Sequence, residues 1–179
     1  MHHHQDLIHI FNDCFELEYN TRLVSGEGEP LYLPADEHRT FHAIFFAHGF
    51  FSSALHESAH WLIAGHTRRK QIDYGYWYAP DGRTAEQQRL FQHVEVKPQA
   101  LEWILSDAAR HPFHVSMDNL KGTEADTEAF KSAVRQQVLI YQTQGLWTRA
   151  ERFRAALDCF YEKAFQPTGE QTTALPVDP

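Results

Sequence analysis

The chain has 179 residues, 42% of them hydrophobic, with 13 Phe, 7 Tyr and 4 Trp. That is enough apolar and aromatic surface for one domain with a sizeable core, and it excludes a disordered chain. A formal net charge of −8 excludes nucleic acid as the main partner, and no apolar run approaches the length of a membrane span.

The opening stretch Met1 to Asp6 has neither the basic nor the apolar region of a signal peptide, so a cytoplasmic protein is expected. Its His2-His3-His4 run, native or an added tag, can bind metal adventitiously. Leu7, Ile10, Phe11, Cys14 and Phe15 follow the i, i+3, i+4, i+7, i+8 spacing of an amphipathic first helix. Residues 19–25 and Leu31–Leu33 read as short strands around a turn at 26–30. Phe41 to His48 reads as a buried strand that delivers the chain to a second helix. Gly49 breaks it, and Phe50 and Phe51 are expected to pack over the helix start.

In that second helix Leu55, Ala59, Leu62 and Ile63 form one apolar stripe, with Ser52 or Ser53 as N-cap and Gly65 as C-cap. The basic run Thr67 to Lys70 is read as cations favoured at a helix C-terminus rather than as a dock for an acidic partner. Gln71 to Tyr78 alternates like a strand, with Ile72, Tyr74, Tyr76 and Tyr78 on one side, and 80–83 turns the chain. Thr84 and Gln87 make a capping box for a short helix towards Gln92. Pro98 is expected to break the helical course of the chain and to start a second helix reaching Ala109. An irregular loop spans 113–122. A long helix covers 124–143, with Phe130, Val134, Val138 and Tyr141 inward and Gly145 as its stop. A last helix covers 148–161 and uses Phe153, Leu157 and Phe160. Cys14 and Cys159 sit at apolar positions and read as buried free thiols in a reducing compartment. The fold class is a single mostly helical α+β domain with a small sheet, residues 1–165, followed by a loosely ordered tail, 166–179.

The chemistry concentrates in the second helix. His56, Glu57 and His60 form HExxH, and on a helix the residues i and i+4 lie one above the other on one face. Two imidazoles can then close on one metal ion with Glu57 beside them. With 13 histidines in the chain the bare motif is weak, but its place on an amphipathic helix strengthens it. A third ligand has to come from elsewhere, and Asp73, Asp81, His93, Glu95 and Glu102 are candidates. Glu95, between Val94 and Val96, is the choice, because flanking apolar residues favour a buried carboxylate that needs a partner. Glu102 is the runner-up. Two histidines and a carboxylate support two chemistries. With zinc, Glu57 serves as general base for peptide hydrolysis, the metallopeptidase alternative. With iron(II), open positions take dioxygen and a substrate, giving a hydroxylase. A third possibility is a structural metal with the 74–78 strand as a contact surface.

The run Phe46-Ala-His-Gly-Phe50 into Ala54-Leu-His-Glu-Ser-Ala-His-Trp61, with Tyr74-Gly-Tyr-Trp-Tyr78, Pro80-Asp-Gly-Arg83 and Val94-Glu-Val-Lys-Pro-Gln-Ala100, resembles the elongation factor P hydroxylase family. Leu31-Tyr-Leu-Pro-Ala-Asp36 and Asp118-Asn-Leu120 are similar too. The likeness reaches about Tyr161 and fades in the tail. It implies a bacterial cytoplasmic enzyme that hydroxylates a β-lysylated lysine of translation elongation factor P, without the jelly roll usual in iron hydroxylases. It also implies a site of two histidines and one carboxylate, here His56, His60 and, as the chosen acid, Glu95. Iron(II) is the implied metal, with other divalent metals able to bind in vitro and dioxygen as substrate. Glu57 then becomes a base or orienting group beside the metal. Tyr74, Tyr76 and Tyr78 are expected to line the approach and to cover the lysine by cation–π attraction. Asp73, Asp81 or Asp118 are expected to pair with its ammonium groups. A 2-oxoglutarate cosubstrate would draw on Arg68, Arg69, Lys70, Arg83 or Lys97.

Overall fold

A computed structural model describes residues 2–73, 85–116 and 124–165. Helix α1, His4–Tyr19, buries Leu7, Ile10, Phe11 and Phe15 along one face, the stripe its spacing dictates. Asn20 ends it with φ +48°, a left-handed position that asparagine tolerates better than most residues.

Three strands follow: β1, Thr21–Gly26, β2, Leu31–Leu33, and β3, His42–Ala47. Their spatial order is β1-β3-β2. β3 runs parallel to β1, Thr21 opposite His42, and antiparallel to β2, Leu31 opposite Phe45. The strands are therefore not a hairpin around the 26–30 turn; the connection at 34–41 inserts β3 between them. Beyond β2, Asp73 exchanges backbone hydrogen bonds of 2.7 and 3.0 Å with Tyr32. The rest of the expected 71–78 strand, the turn at 80–83, Thr84 of the capping box and the second half of the 113–122 loop lie outside the described residues, as does the tail from Gln166.

β3 hands over to α2, Phe51–Ile63, through His48 (φ +49°) and Gly49 (φ +70°). A side chain at Gly49 would meet His4 Cε1 at 3.1 Å, so the turn needs glycine for both its dihedral and its space. Phe51 packs inward as expected, whereas Phe50 is 62% exposed. Neither expected cap residue caps α2. The helix starts after Phe50, while the Ser53 hydroxyl accepts the Ala47 N–H at 3.0 Å and Ser52 Oγ lies 3.0 Å from His111 Nε2. At the other end the helix stops at Ala64 rather than at Gly65. Its last carbonyls find donors from afar: Arg149 Nη2 donates to Leu62 O at 3.0 Å and to Ala64 O at 2.8 Å, and Trp147 Nε1 donates to Leu62 O at 2.8 Å. Tertiary donors replace the local cap.

Helix α3, Ala85–Ala108, runs straight through Pro98, correcting the expected break there. The proline ring is buried, and packing of α3 against α2, α4 and α5 outweighs the lost hydrogen bond. α4, Glu124–Gln144, ends at Gly145 with φ +79°, as its sequence indicates. α5 covers Thr148–Phe165. Its buried face uses Phe153, Leu157 and Tyr161, not Phe160, which is 41% exposed, and Cys159 is exposed too. Cys14 is partly buried, and burial raises its thiol above the ordinary value.

The main core joins α1, α2, α5 and the sheet, with Phe11, Phe15, Trp61 and Phe153 in contact through their rings. A second, smaller core lies between α3 and α4 around Ala100, Phe130, Val134 and Val138. No helix among the described residues is long and apolar enough to cross a membrane.

Candidate metal centre

α3 lies between the two cores, and its sequence shows why. Leu101 and Leu105 face the main core, Val96 and Ala100 face the second. Between these apolar stripes runs a polar one: Glu95, Gln99, Glu102 and Ser106, at i, i+4, i+7 and i+11, are all buried. At 3.6 residues per turn these four positions fall within an arc of about 60°. Buried polar side chains need partners, and those of Glu95 and Glu102 are on α2.

His56 and His60 present Nε2 atoms 3.0 Å apart. Glu95 completes a triangle, Oε1 at 3.3 Å from His60 Nε2 and Oε2 at 3.5 Å from His56 Nε2. Among the described residues this is the one group of three or more such side chains whose donor atoms all lie within 4.8 Å of one another. Donors held about 2.0–2.2 Å from one ion at tetrahedral or octahedral angles stand about 2.8–3.6 Å apart. The separations of 3.0, 3.3 and 3.5 Å, the last two to different oxygens of the Glu95 carboxylate, lie in that range, so the residues fit a divalent metal. Glu102 is outside the group: its Oε2 lies 2.7 Å from His56 Nδ1, on the other edge of the ring.

The electrostatics ask for a positive charge at this place. Burial opposes charge on His56, but the hydrogen bond and charge of Glu102, with Glu57 and Glu95, outweigh it and push the imidazole up to about 10. Burial likewise opposes charge on Glu95, and His60, His56 and the Gln99 amide together hold its carboxyl below the usual range. Gln99 also clamps the chain after α3, donating to Ser116 O at 2.7 Å and accepting from Ser116 N–H at 3.1 Å.

Glu57 points to another side. It shares a cavity of about 30 Å³ with Tyr32, His60, Arg69 and Asp73, room for about one or two waters. Burial pushes its carboxyl above the ordinary value, against the pull of His56 and His60. On a further side of His60 a cleft of about 590 Å³ opens, with Ile63, Val94, Lys97, Pro98 and Ile140 among its lining residues.

The structure thus brings His56, His60 and Glu95 together, with Glu57 adjacent. Asp73 is engaged with Arg68, whose Nε donates to Oδ2 at 2.7 Å. Tyr74, Tyr76, Tyr78, Asp81 and Asp118 lie outside the described residues. Of the candidate ligands, His93 lines the cleft without joining the triangle. The hydrogen bonds of Gln99 and Glu102 were not foreseen; their signal is the buried polar stripe on α3.

A helical α+β scaffold carrying two histidines and one carboxylate defines a non-haem divalent-metal protein without a jelly roll. The chain belongs to the elongation factor P hydroxylase family, whose model matches residues 10–171. A relative from Haemophilus influenzae, named elongation factor P lysine hydroxylase, is 60% identical over 160 residues, 89% of this chain and 90% of the relative.

Proposed function

We propose that this chain is an iron(II)-dependent hydroxylase that adds one oxygen atom to the β-lysylated lysine of elongation factor P, in the cytoplasm. The observation that carries this reading is the 60% identity to elongation factor P lysine hydroxylase along nine-tenths of both chains. The donor set at His56, His60 and Glu95 supports it.

His56, His60 and Glu95 hold the metal, and Glu95 supplies the negative charge of the set. Iron(II) in this place supplies the activation of dioxygen that hydroxylation of an unactivated C–H bond requires. Dioxygen is the second substrate: one of its atoms enters the C–H bond, and the other leaves as water with two electrons and two protons from an external reductant. Glu57 stands beside the centre, its small cavity able to keep a water within reach of His60, so its part is to hold or pass a proton and to orient rather than to attack a peptide. The apolar side of the cleft, with Ile63, Val94 and Pro98, gives the lysine stem a water-poor approach to His60. Tyr74, Tyr76, Tyr78, Asp73 and Asp81 are the residues assigned to substrate binding, the tyrosines for the aliphatic stem and the aspartates for the ammonium groups. Residues 1–165 act as a single catalytic domain.

Mass spectrometry of lysylated elongation factor P, incubated in air with iron(II)-loaded protein and a reductant, tests the reading. A gain of one oxygen on the modified lysine is expected, absent with His60→Ala. No gain, with peptide cleavage by zinc-loaded protein instead, would transfer the assignment to a metallopeptidase.

A further inference from the structure

The second carboxylate that α3 sends to α2 touches the same histidine as Glu95 but at the opposite nitrogen. Glu102 Oε2 is 2.7 Å from His56 Nδ1, while His56 Nε2 is the atom that faces His60 and Glu95. An ionised carboxylate only accepts, so the hydrogen of this bond sits on Nδ1 and the lone pair of the neutral ring is on Nε2. Without such a partner a neutral imidazole favours the other tautomer, which would aim an N–H into the triangle of donors.

We propose that Glu102 is a positioning residue, which locks His56 in its Nδ1–H tautomer and aims the Nε2 lone pair at the metal position. The proposal rests on the reading of His56 as a metal ligand. Three observations carry it. The contact is short and joins, across two helices, residues 46 apart in sequence. Glu102 is only 8% exposed, so water has little access to replace it. It occupies the same buried stripe of α3 as Glu95, seven residues on, so the backbone that places the proposed ligand also places its support. A carboxylate behind a metal-binding histidine raises the basicity of the ring and fixes its rotation, and its loss costs about 10- to 100-fold in affinity.

Two readouts independent of hydroxylation decide the matter: long-range 1H–15N correlation of the histidines in labelled, zinc-free protein at a pH where the His56 ring is neutral, and zinc affinity by chelator competition. Wild type is expected to show His56 as the Nδ1–H tautomer. Glu102→Ala is expected to bind one zinc about 10- to 100-fold more weakly and to lose that signature in the zinc-free state at a pH where the ring is neutral. Glu102→Gln, whose amide oxygen still accepts, recovers part of both and covers the case in which the alanine variant does not fold. Unchanged affinity and tautomer in both variants would overturn the proposal. So would complete loss of zinc in both variants together with retention of zinc in Glu95→Gln, which makes Glu102 the ligand. Wild type that binds no metal overturns the ligand reading itself, whereas a failed oxygen-transfer assay alone leaves the positioning role standing.

Discussion

The two sides of α2 are built on different physics. One side, with Leu55, Ala59 and Leu62, is fully buried against α1, the sheet and α5, and any well-packed apolar partner of the right shape would serve it. The other side carries His56 and His60 against Glu95 and Glu102 of α3, where each polar atom needs one particular partner at one distance. The apolar side determines whether α2 docks; the polar side determines what the docked helix can hold. Stability and metal binding are therefore separable properties of a single 13-residue helix.

The sharpest way to break this comparison is to damage one side at a time. Glu95→Gln keeps the shape of the polar side but removes its negative donor. Metal affinity should fall by more than the about 100-fold that loss of a supporting hydrogen bond costs, while the metal-free protein still folds, less stable by the charge that Glu95 supplies to His56 and His60. Leu55→Ala leaves every donor in place and opens a cavity in the main core. It should cost about 2–5 kcal/mol and lower the melting temperature by about 4–20 °C, while the folded fraction still binds metal. Calorimetry and metal analysis on both variants measure the two effects. A Leu55→Ala protein that folds normally but binds no metal would show that the sides are not separable.

A second test uses pH. In the metal-free protein the carboxylates around His56 raise it from the ordinary value of 6.5 to about 10, against the opposing effect of burial. A base whose folded value is raised contributes stability that is fully present below the unfolded value and is lost as pH climbs through the folded one. The metal-free protein should therefore lose stability between about pH 6.5 and pH 10. With metal bound the proton is already displaced, so that decline should flatten. Parallel thermal melts with and without metal, across that range, separate the two curves.

These contrasts also explain what could be read from residue order. The apolar side of α2 follows helical periodicity, and His56 with His60 needs only i, i+4 spacing, so both were legible. Glu95 stood out through Val94 and Val96 alone. Its relation to Glu102 was hidden because Pro98 signals a break, and only a helix continuous through Pro98 puts 95, 99, 102 and 106 in one stripe. The order β1-β3-β2 was not legible either, since nothing local tells the 34–41 connection to insert β3 between its predecessors. The caps of α2 failed for the same reason: Ser52 and Ser53 carry a local signal, but His111 and the Ala47 N–H are the partners the fold supplies.

The smallest expected effect lies at the C-terminal end of α2, one turn from His60. Arg149 donates to the carbonyls of Leu62 and Ala64, and its guanidinium lies over the Trp61 ring at 4.7 Å. Burial, with Arg69 nearby, pushes it down to about 10, so its charge is held at a cost that the hydrogen bonds offset. Arg149→Ala leaves Leu62 O with Trp147 Nε1 and takes the long-range donor from Ala64 O, and should destabilise the fold by about 1–3 kcal/mol. Because the apolar stripe still docks α2, the fold should survive and metal affinity should change by less than about 10-fold, short of the range expected when a hydrogen bond to a ligand is lost. Chemical denaturation and chelator competition on this one variant measure both quantities. If affinity instead falls as far as in Glu102→Ala, then the end of α2, and not only its face towards α3, sets the position of His60.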